Sequence, residues 1–287
     1  MKILFFIVNY KADVVLIQCL TSLINALSVT QSDVHLSIHV FDNSEYDDAA
    51  CLRLANNIKN VTQGRGRVHW SPVNAGYFGG LKMAQQLAAE GENDVVIYSN
   101  PDIAIAEDFF ECLNPIVSQG GILAPAIVSL KYGFDQNPKY LKRLSRTKLE
   151  RLQNVYGNWC TFVAYMTLAR IKEILLGGKA RTSKVIPTGS HIYAPHGATF
   201  VFTDINLFLA LPEYPIFLFG EELFVAEEAA RHGVIVRYSP ELRISDLRSQ
   251  SIKQLPTELT RKFMLSSIGY ILDHYYSPDQ NGKVKYK

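Results

Sequence analysis

Four acidic side chains in this sequence have the type and setting that group-transfer chemistry needs. Asp42, Asp102 and the adjacent Glu221 and Glu222 each come shortly after a run of apolar residues. The carboxylate of Asp42 can accept the imide N–H of a uracil or thymine ring. That of Asp102 can hold Mg²⁺ or Mn²⁺, which prefer oxygen ligands and would neutralise a departing diphosphate. By themselves the two glutamates indicate only a helix start, where negative charge is favourable.

Amide, tyrosine and glycine residues accompany these acids. Asn9-Tyr10 follow an apolar run, and Asn100-Pro101 stand directly before Asp102. The segment Asn74–Gly80 contains three glycines, at Gly76, Gly79 and Gly80. Glycine lets backbone amides approach a diphosphate near a helix start, and the alternative is that these glycines only form turns. Asn-Pro-Asp alone is also a routine helix-entry turn.

Short apolar runs alternate with segments of helical period in the first half of the chain, which predicts an α/β fold with a mostly parallel central sheet flanked by helices. Strands are predicted at Ile3–Val8, Leu36–Phe41, Arg67–Trp70 and Val95–Tyr98, with helices at Val14–Leu27, Asp48–Asn60, Gly80–Ala89 and Asp108–Val117. Ligands of open α/β sheets bind at the carboxyl ends of the strands. The polar clusters are therefore expected to meet in one crevice.

The second half is predicted to add an inserted segment and a helical tail. A basic stretch from Lys131 to Arg151 is expected to leave the core, as is a basic loop from Gly177 to Lys184. The predicted elements are helices at Thr161–Leu176, Glu221–His232 and Thr257–Tyr276 and strands at Ala198–Phe202 and Val234–Tyr238. We expect one domain with four stretches, 1–128, 129–193, 194–250 and 251–287.

The helix that begins at Glu221 has a second acidic pair further along. Glu227 and Glu228 are expected on its solvated face. Leu223, Ala226 and Ala230, spaced i, i+3, i+7, are expected to pack inward.

In their order and spacing, these clusters resemble the inverting GT-A glycosyltransferases of family 2, particularly the bacterial rhamnosyltransferase-like branch. The matching segments are Asn9-Tyr10, Asp42-Asn43-Ser44, Asn74–Gly80, Asn100-Pro101-Asp102 and the acidic pair Glu221-Glu222. The resemblance covers residues 3–128 and 194–250. It implies transfer of a sugar, with inversion, from a UDP- or dTDP-linked donor to a glycan or lipid-linked acceptor in bacterial surface polysaccharide synthesis.

The resemblance also implies a role for each matched residue. Those implied to bind the nucleotide sugar are Asn9, Tyr10, Asp42, Asn74, Gly76, Gly79, Gly80 and Asn100. Arg248 could reach a phosphate oxygen of the donor, and the alternative is a surface ion pair, the commoner fate of an arginine. Glu222 is implied to be the catalytic base, with Glu221 orienting the acceptor. Asp102 and Asp246 are implied to hold Mg²⁺ or Mn²⁺.

The chain departs from the family pattern at three places. Asn100 stands where the family has a first carboxylate, Leu81-Lys82 stand where an asparagine is common, and Asp246 stands where a histidine is expected. A carboxylate is still a sound ligand for Mg²⁺. The unmatched segments are where acceptor specificity is expected.

Composition restricts the partners. Lys and Arg number 29 against 27 Asp and Glu in 287 residues, so no chain-wide basic field favours nucleic acid. The four cysteines are widely spaced, which suits reduced thiols in a cytoplasmic protein. A polyprenyl-diphosphate-linked acceptor and contact with the inner face of a membrane from the side are compatible with the basic segments. Oligomeric state stays open.

Two other functions are weighed. A sugar-nucleotide nucleotidyltransferase would share the fold class, but it usually opens with a glycine-rich loop, and Asn9–Asp13 contains no glycine. A non-catalytic nucleotide-sugar-binding module stays open because of the departures at Asn100 and Asp246. A dinucleotide oxidoreductase is disfavoured, since no GxGxxG follows the first strand.

Overall fold

The structure is a computed structural model that describes residues 1–130, 133–176, 186–247 and 257–276. Arg248 and the basic loop predicted from Gly177 to Lys184 lie outside the described residues.

Within the described residues, nine strands form one sheet. They are β1 (Lys2–Asn9), β2 (His35–Asp42), β3 (Gly66–Trp70), β4 (Val95–Ser99), β5 (Ile103–Ile105), β6 (Ile122–Ser129), β7 (His191–Ile192), β8 (Thr199–Phe202) and β9 (Val236–Asp246). The order is β3-β2-β1-β4-β8-β6-β9-β5, with β7 beside β9. The longer pairings, β1 with β2 and with β4, β2 with β3, and β6 with β9, are parallel. The predicted mostly parallel α/β sheet is confirmed.

Helices cover both faces of the sheet. They are α1 (Asp13–Val29), α2 (Asp48–Val61), α3 (Leu81–Gly91), α4 (Phe109–Leu113), α5 (Arg146–Gly157), α6 (Trp159–Leu176), α7 (Ile205–Ala210), α8 (Glu221–Arg231) and α9 (Thr257–Tyr275). Local signals set some of their starts, because Asp47 caps α2 by accepting the N–H of Ala50 and Ser145 caps α5 by accepting that of Lys148.

β1 is buried on both faces, as its continuous apolar run predicts. Ile3 and Phe5 face the core beneath α1 and α2, while Leu4 and Phe6 face the core shared with α3 and α8. Successive side chains of a strand point to opposite faces, so β1 belongs to both cores. This central position fixes its carboxyl end, where Asn9 lies.

Three predicted elements differ from the observed ones. The helix predicted at Asp108–Val117 stops at Leu113, because Pro115 has no N–H to continue it and its ring crowds the preceding turn. The strand predicted at Val234–Tyr238 runs instead from Val236 to Asp246. A register shift in its pairing with β6 accommodates Pro240, since a bulge tolerates a residue without a donor.

The third difference is the basic stretch, where the prediction of an excursion from the core was wrong for its later part. Residues 146–157 form α5, which packs on α9 and α6. Leu149 and Tyr156 of α5 are buried in the main core. Burial of the apolar side chains, which recur at helical spacing, thus places α5 on the core despite the basic residues around them.

Among the described residues, no helix is both long enough and apolar enough to cross a membrane.

Candidate active site

The carboxyl ends of four strands lie side by side at one edge of the sheet. Asn9 of β1 stands opposite Asp42 of β2, and Asp42 stands opposite Trp70 of β3. Ser99, the last residue of β4, pairs with Thr199 at the start of antiparallel β8. The register therefore brings the polar clusters of the first half to a common edge.

Asp42 is buried and held by three hydrogen bonds. Oδ1 accepts from Nδ2 of Asn9 at 2.7 Å and from the hydroxyl of Ser44 at 2.8 Å, and Oδ2 accepts from the backbone N–H of Ser44 at 3.2 Å. Burial raises the pKa of Asp42 above its ordinary value, and these hydrogen bonds oppose the rise. The carboxylate is thus oriented by its own strand end, with Oδ2 the less occupied oxygen.

Asp42 forms part of the wall of a pocket of about 480 Å³, a size suited to a small ligand. The remaining lining residues are Glu45, Tyr46, Asp48, Cys51, Trp70, Ser71 and Pro72. The lining does not include Asp102 or Glu222. Tyr46 and Trp70 give the pocket aromatic surface beside a buried carboxylate, an arrangement that fits a planar base carrying an N–H group.

Tyr10 lies next to this strand end and is exposed. The ammonium group of Lys11 lies 5.2 Å from the centre of its ring, and the N–H of Lys11 donates to the Ser44 hydroxyl at 2.8 Å. The loop after β1 is therefore tied to the loop after β2.

Asn43 links this edge to the glycine segment. Its Nδ2 donates to the carbonyl of Gly76 at 3.0 Å, and its Oδ1 accepts from the N–H of Ala75 at 3.2 Å. Asn74 closes the turn by accepting the N–H of Gly76 at 3.1 Å. Gly79 follows at the surface.

Gly76 and Gly80 are both required by close packing. Gly76 has φ 77°, and a Cβ there would lie 2.3 Å from the carbonyl oxygen of Phe217. A Cβ on Gly80 would lie 2.8 Å from the ring of Phe6 and 2.9 Å from that of Phe41. Packing alone therefore explains these two glycines, and a diphosphate contact at this segment stays a prediction.

The two predicted metal ligands lie on adjacent backbones. Asp246 ends β9 opposite Ile103, and the N–H of Leu247 donates to the carbonyl of Asp102 at 2.8 Å. Gln136 Nε2 donates to Oδ2 of Asp246 at 2.7 Å. Two residues before Asp102, the N–H of Asn100 donates to the carbonyl of Ala198 at 2.9 Å.

This donor set fits one kind of metal site. Among the described residues, no group of three or more His, Cys, Asp and Glu side chains could enclose an ion. Mg²⁺ is commonly held by one or two carboxylates together with substrate phosphates and water. Asp102 and Asp246 therefore suit an ion that arrives with a diphosphate and do not suit an all-protein cage.

Glu221 and Glu222 begin α8 after Gly220, whose φ of 83° turns the chain into the helix. Oε1 of Glu221 accepts the N–H of Phe219 at 2.8 Å. Oε1 of Glu222 lies 3.1 Å from Nζ of Lys139. Adjacent glutamates thus have different partners, one neutral and one cationic.

The pKa values of the two carboxyl groups shift in opposite directions, because their surroundings differ. Burial, followed by the neighbouring charge of Glu222, raises the pKa of Glu221 to about 8. Burial also pushes the pKa of Glu222 upward, but the positive charges of Lys139 and His196 outweigh it and leave that pKa below the ordinary value. The neutral form is therefore favoured at Glu221 and the charged form at Glu222.

The buried Tyr77 links this pair electrostatically to Asp102. Burial raises the pKa of Tyr77 well above its ordinary value, and the negative charges of Glu221, Glu222 and Asp102 add to the rise. A Cβ on Gly197 would lie 3.3 Å from Cδ of Glu222, so this carboxyl group lies against the segment that leads into β8. The acids from the two halves of the chain therefore share one neighbourhood.

The expectation for the second acidic pair of α8 was wrong. Glu227 is fully buried and Glu228 is 3% exposed. Glu227 accepts two hydrogen bonds from the guanidinium of Arg143, at 2.8 and 2.9 Å, and one from the hydroxyl of Tyr193 at 2.6 Å. Multiple charged and neutral donors offset the desolvation of a buried carboxylate.

Glu228 has an equivalent set of donors. It accepts from Arg231 at 3.1 Å and from the hydroxyl of Tyr275 at 2.6 Å. Leu223 and Ala226 pack inward as predicted, but Ala230 is only half-buried, because the helix turns its Ala229 side into the core.

Sequence patterns missed three residues at this edge. Tyr46 and Trp70 line the pocket beside Asp42, and their positions just after a strand-end motif and at the end of β3 were the available signals. Lys139 had no local signal, because it contacts Glu222 from a segment far away in the chain.

Several solved glycosyltransferase structures are similar to this chain in fold. The structure of GalNAc-T7 with UDP, GalNAc and Mn²⁺ matches 96% of this chain and 50% of its own, with TM-score 0.59 and 14% identity. TarS of S. aureus matches 100% of this chain and 46% of its own, with TM-score 0.52 and 12% identity. The mannosyltransferase PcManGT from Pyrobaculum calidifontis, in complex with GDP-Man and Mn²⁺, matches 94% and 74%, with TM-score 0.52 and 10% identity.

This chain spans about half the length of the first two of these proteins. No protein-family model and no curated protein sequence matches it. At such low identity the likeness establishes the fold, and the chain has the GT-A glycosyltransferase fold.

Proposed function

We propose that this protein is an inverting glycosyltransferase that moves a sugar from a UDP- or dTDP-linked donor to a hydroxyl group of a glycan or lipid-linked acceptor. Membership of family 2, in its rhamnosyltransferase-like branch, and a role in bacterial surface polysaccharide synthesis are part of the proposal. The observation that carries it is the position of Glu222 in a chain with the GT-A fold: it pairs with Lys139 and lies against Gly197, next to Ala198, which accepts the N–H of Asn100, two residues before Asp102.

The donor base is proposed to bind in the pocket beside Asp42. Its Oδ2, which accepts a single long hydrogen bond, can take the imide N–H that uracil and thymine share. Tyr46 and Trp70 offer aromatic surface for the planar ring. Guanine presents an amino group beside its ring N–H, whereas uracil and thymine present the imide N–H between two carbonyl groups, and we propose UDP- and dTDP-sugars as the donors.

Transfer itself is proposed to use Glu222. Its charged carboxylate takes the proton of the acceptor hydroxyl as that oxygen attacks the anomeric carbon, from the face opposite the departing diphosphate. Burial raises the pKa of Glu221, which disfavours a second negative charge beside the attacking oxygen. Inversion at the anomeric carbon follows from attack on the opposite face.

Asp102 and Asp246 would hold Mg²⁺ or Mn²⁺ together with the diphosphate. When bound, the ion would neutralise the negative charge of the leaving group. Gln136 holds Asp246 by one oxygen, which orients the carboxylate for such a contact.

The proposed acceptor is a glycan or a polyprenyl-diphosphate-linked sugar. A lipid-linked acceptor would bring the protein to the inner face of a membrane from the side, in the cytoplasm.

A thermal-shift panel tests the donor site. We expect UDP and dTDP to raise the melting temperature of the full chain more with Mn²⁺ than without it, and GDP to have little effect, because a ligand that binds only the folded state stabilises it. In the Asp42→Asn variant, UDP affinity is expected to fall roughly tenfold or more, since a hydrogen bond to a charged group is lost.

Asp33→Asn is the matched control, because Asp33 is an exposed acid far from the pocket. If GDP stabilises the protein and UDP and dTDP do not, the base assignment is wrong. If no nucleotide binds, and no nucleoside diphosphate is released from a panel of UDP- and dTDP-sugars, the transferase proposal is wrong.

A further inference from the structure

Lys139 is the cation closest to the proposed base, although it lies outside every motif that indicated the site. Its Nζ is 3.1 Å from Oε1 of Glu222. The Glu222 side chain is 14% exposed and that of Lys139 is 38% exposed. The carboxylate is thus largely shielded from solvent while Lys139 is exposed, so solvent screens this pair less than a pair in which both groups are exposed.

The backbone around Lys139 is anchored on both sides. Before it, Asn137 donates to the carbonyl of Pro125 at 2.7 Å and accepts the N–H of His196 at 2.7 Å. After it, Tyr140 and Ala194 exchange two backbone hydrogen bonds, at 3.2 and 2.9 Å. The residue between these anchors is therefore presented at a fixed place.

The same anchors fix what lies on the other side of the carboxyl group. Pro195, His196 and Gly197 follow Ala194 in the chain, and Gly197 lies against Glu222. A methyl group on Gly197 would come within 3.3 Å of Cγ and Cδ of Glu222. The segment that holds Lys139 thus also shapes the space around the carboxylate.

Several ionisable groups face Glu222, and they act in opposite directions. From the elements packed around it they are Glu221, Lys139, His196, Tyr77, Tyr140 and Tyr214. Burial favours a protonated Glu222, and Lys139 is the largest influence in the other direction.

We propose that Lys139 is a positioning residue of this site, which keeps the Glu222 carboxylate charged and directed toward the acceptor hydroxyl. The role rests on the proposed function, since Glu222 must be the base for it to matter. Lys139 needs no contact with substrate for this role. It acts through the 3.1 Å ion pair.

The first test needs no substrate. The Glu222 carboxyl group is titrated by ¹³C NMR in protein labelled at glutamate, with the Glu222→Gln variant used to assign the signal. In Lys139→Met we expect its pKa to rise by about 1 to 3 units, the size of effect that an opposite charge at this distance has. Lys139→Arg is expected to retain most of the wild-type value.

The second test is the pH profile of kcat/KM, followed as release of UDP from UDP-glucose or dTDP from dTDP-rhamnose. The acid limb is expected to move to higher pH in Lys139→Met and to return toward the wild-type position in Lys139→Arg. Lys142→Met, at an exposed lysine three residues further along, is the matched control and should leave the limb in place.

The outcomes separate the two proposals. If the Glu222 titration and the acid limb are the same in Lys139→Met as in wild type, Lys139 has no positioning role, whatever the activity of Glu222→Gln. If Glu222→Gln keeps full activity, the base assignment fails, while the NMR titration still reports whether Lys139 controls that carboxyl group. A shifted titration with a loss of activity in Glu222→Gln supports both.

Discussion

Helix α8 carries two pairs of adjacent glutamates, which look alike in sequence but differ in burial and in hydrogen-bond partners. Glu221 and Glu222 lie at its first turn and are partly exposed, and Glu222 forms an ion pair with Lys139. Glu227 and Glu228 lie further along, buried, each with an arginine and a tyrosine. The first pair is partly exposed, whereas Glu227 has both oxygens occupied by donors of the protein and Glu228 accepts two hydrogen bonds on one oxygen.

The hydrogen-bond donors around an acidic pair indicate whether the pair is available for chemistry or contributes to stability. Arg143 clamps Glu227 with two hydrogen bonds, donates to the carbonyl of Tyr275 at 3.0 Å and lies 3.9 Å from the ring of Tyr276. The second pair therefore fastens α8 to the end of α9. A carboxylate satisfied in this way has little capacity left for a substrate proton.

The largest effect is expected from Glu222→Gln. Removing a catalytic base should lower kcat by about 10²- to 10⁴-fold, with a melting temperature close to that of wild type. Rates of UDP or dTDP release and thermal unfolding curves are the measurements. Glu227→Gln is the counterpart, expected to lower stability while each folded molecule keeps its turnover rate. If Glu227→Gln abolishes turnover in fully folded protein, the purely structural role given to the second pair is wrong.

The next effect is on stability. Arg143→Met leaves the buried Glu227 without its cation, so the free energy of unfolding is expected to fall by about 3 to 5 kcal/mol in urea denaturation. Adding Glu227→Leu to this variant should restore part of the loss, because no unpaired buried charge then remains. Glu150→Gln, in the exposed pair with Arg146, is the control and should change the free energy of unfolding by less than about 0.5 kcal/mol. A loss below roughly 1 kcal/mol in Arg143→Met would contradict a bracing role for the second pair.

The smallest effect depends on pH. Because the pKa of Glu221 rises from 4.5 to about 8 on folding, the folded protein binds an extra proton between these values, and wild-type stability declines as pH increases through that range. Gln at this position does not titrate and can still accept the N–H of Phe219. The stability of Glu221→Gln relative to wild type is therefore expected to increase between pH 5 and pH 8.5. Urea denaturation at several pH values measures it, and a difference that stays constant with pH would show that Glu221 is ionised in the folded protein.

The sheet around the proposed donor site could be predicted well from sequence. β1 to β4 were expected within one or two residues of where they lie, because continuous apolar runs and clear turn residues leave few alternatives. The later part was harder. β6 and the short strands β5 and β7 escaped prediction, and α5 was mistaken for an excursion because its basic residues obscure the apolar face that Leu149 and Tyr156 form.

The sequence by itself determined that Asn9, Asp42 and Asp102 would follow strands and that Glu221 and Glu222 would begin a helix, since strand runs and helix starts are encoded by neighbouring residues. Only the tertiary structure decided which glutamates remain available for chemistry. Arg143 and Lys139 reach α8 from a segment about 80 residues away, and burial and charge depend on such partners rather than on neighbours in the chain. Glutamates on one helix therefore differ in pKa and in accessibility, and no local sequence pattern predicts these differences.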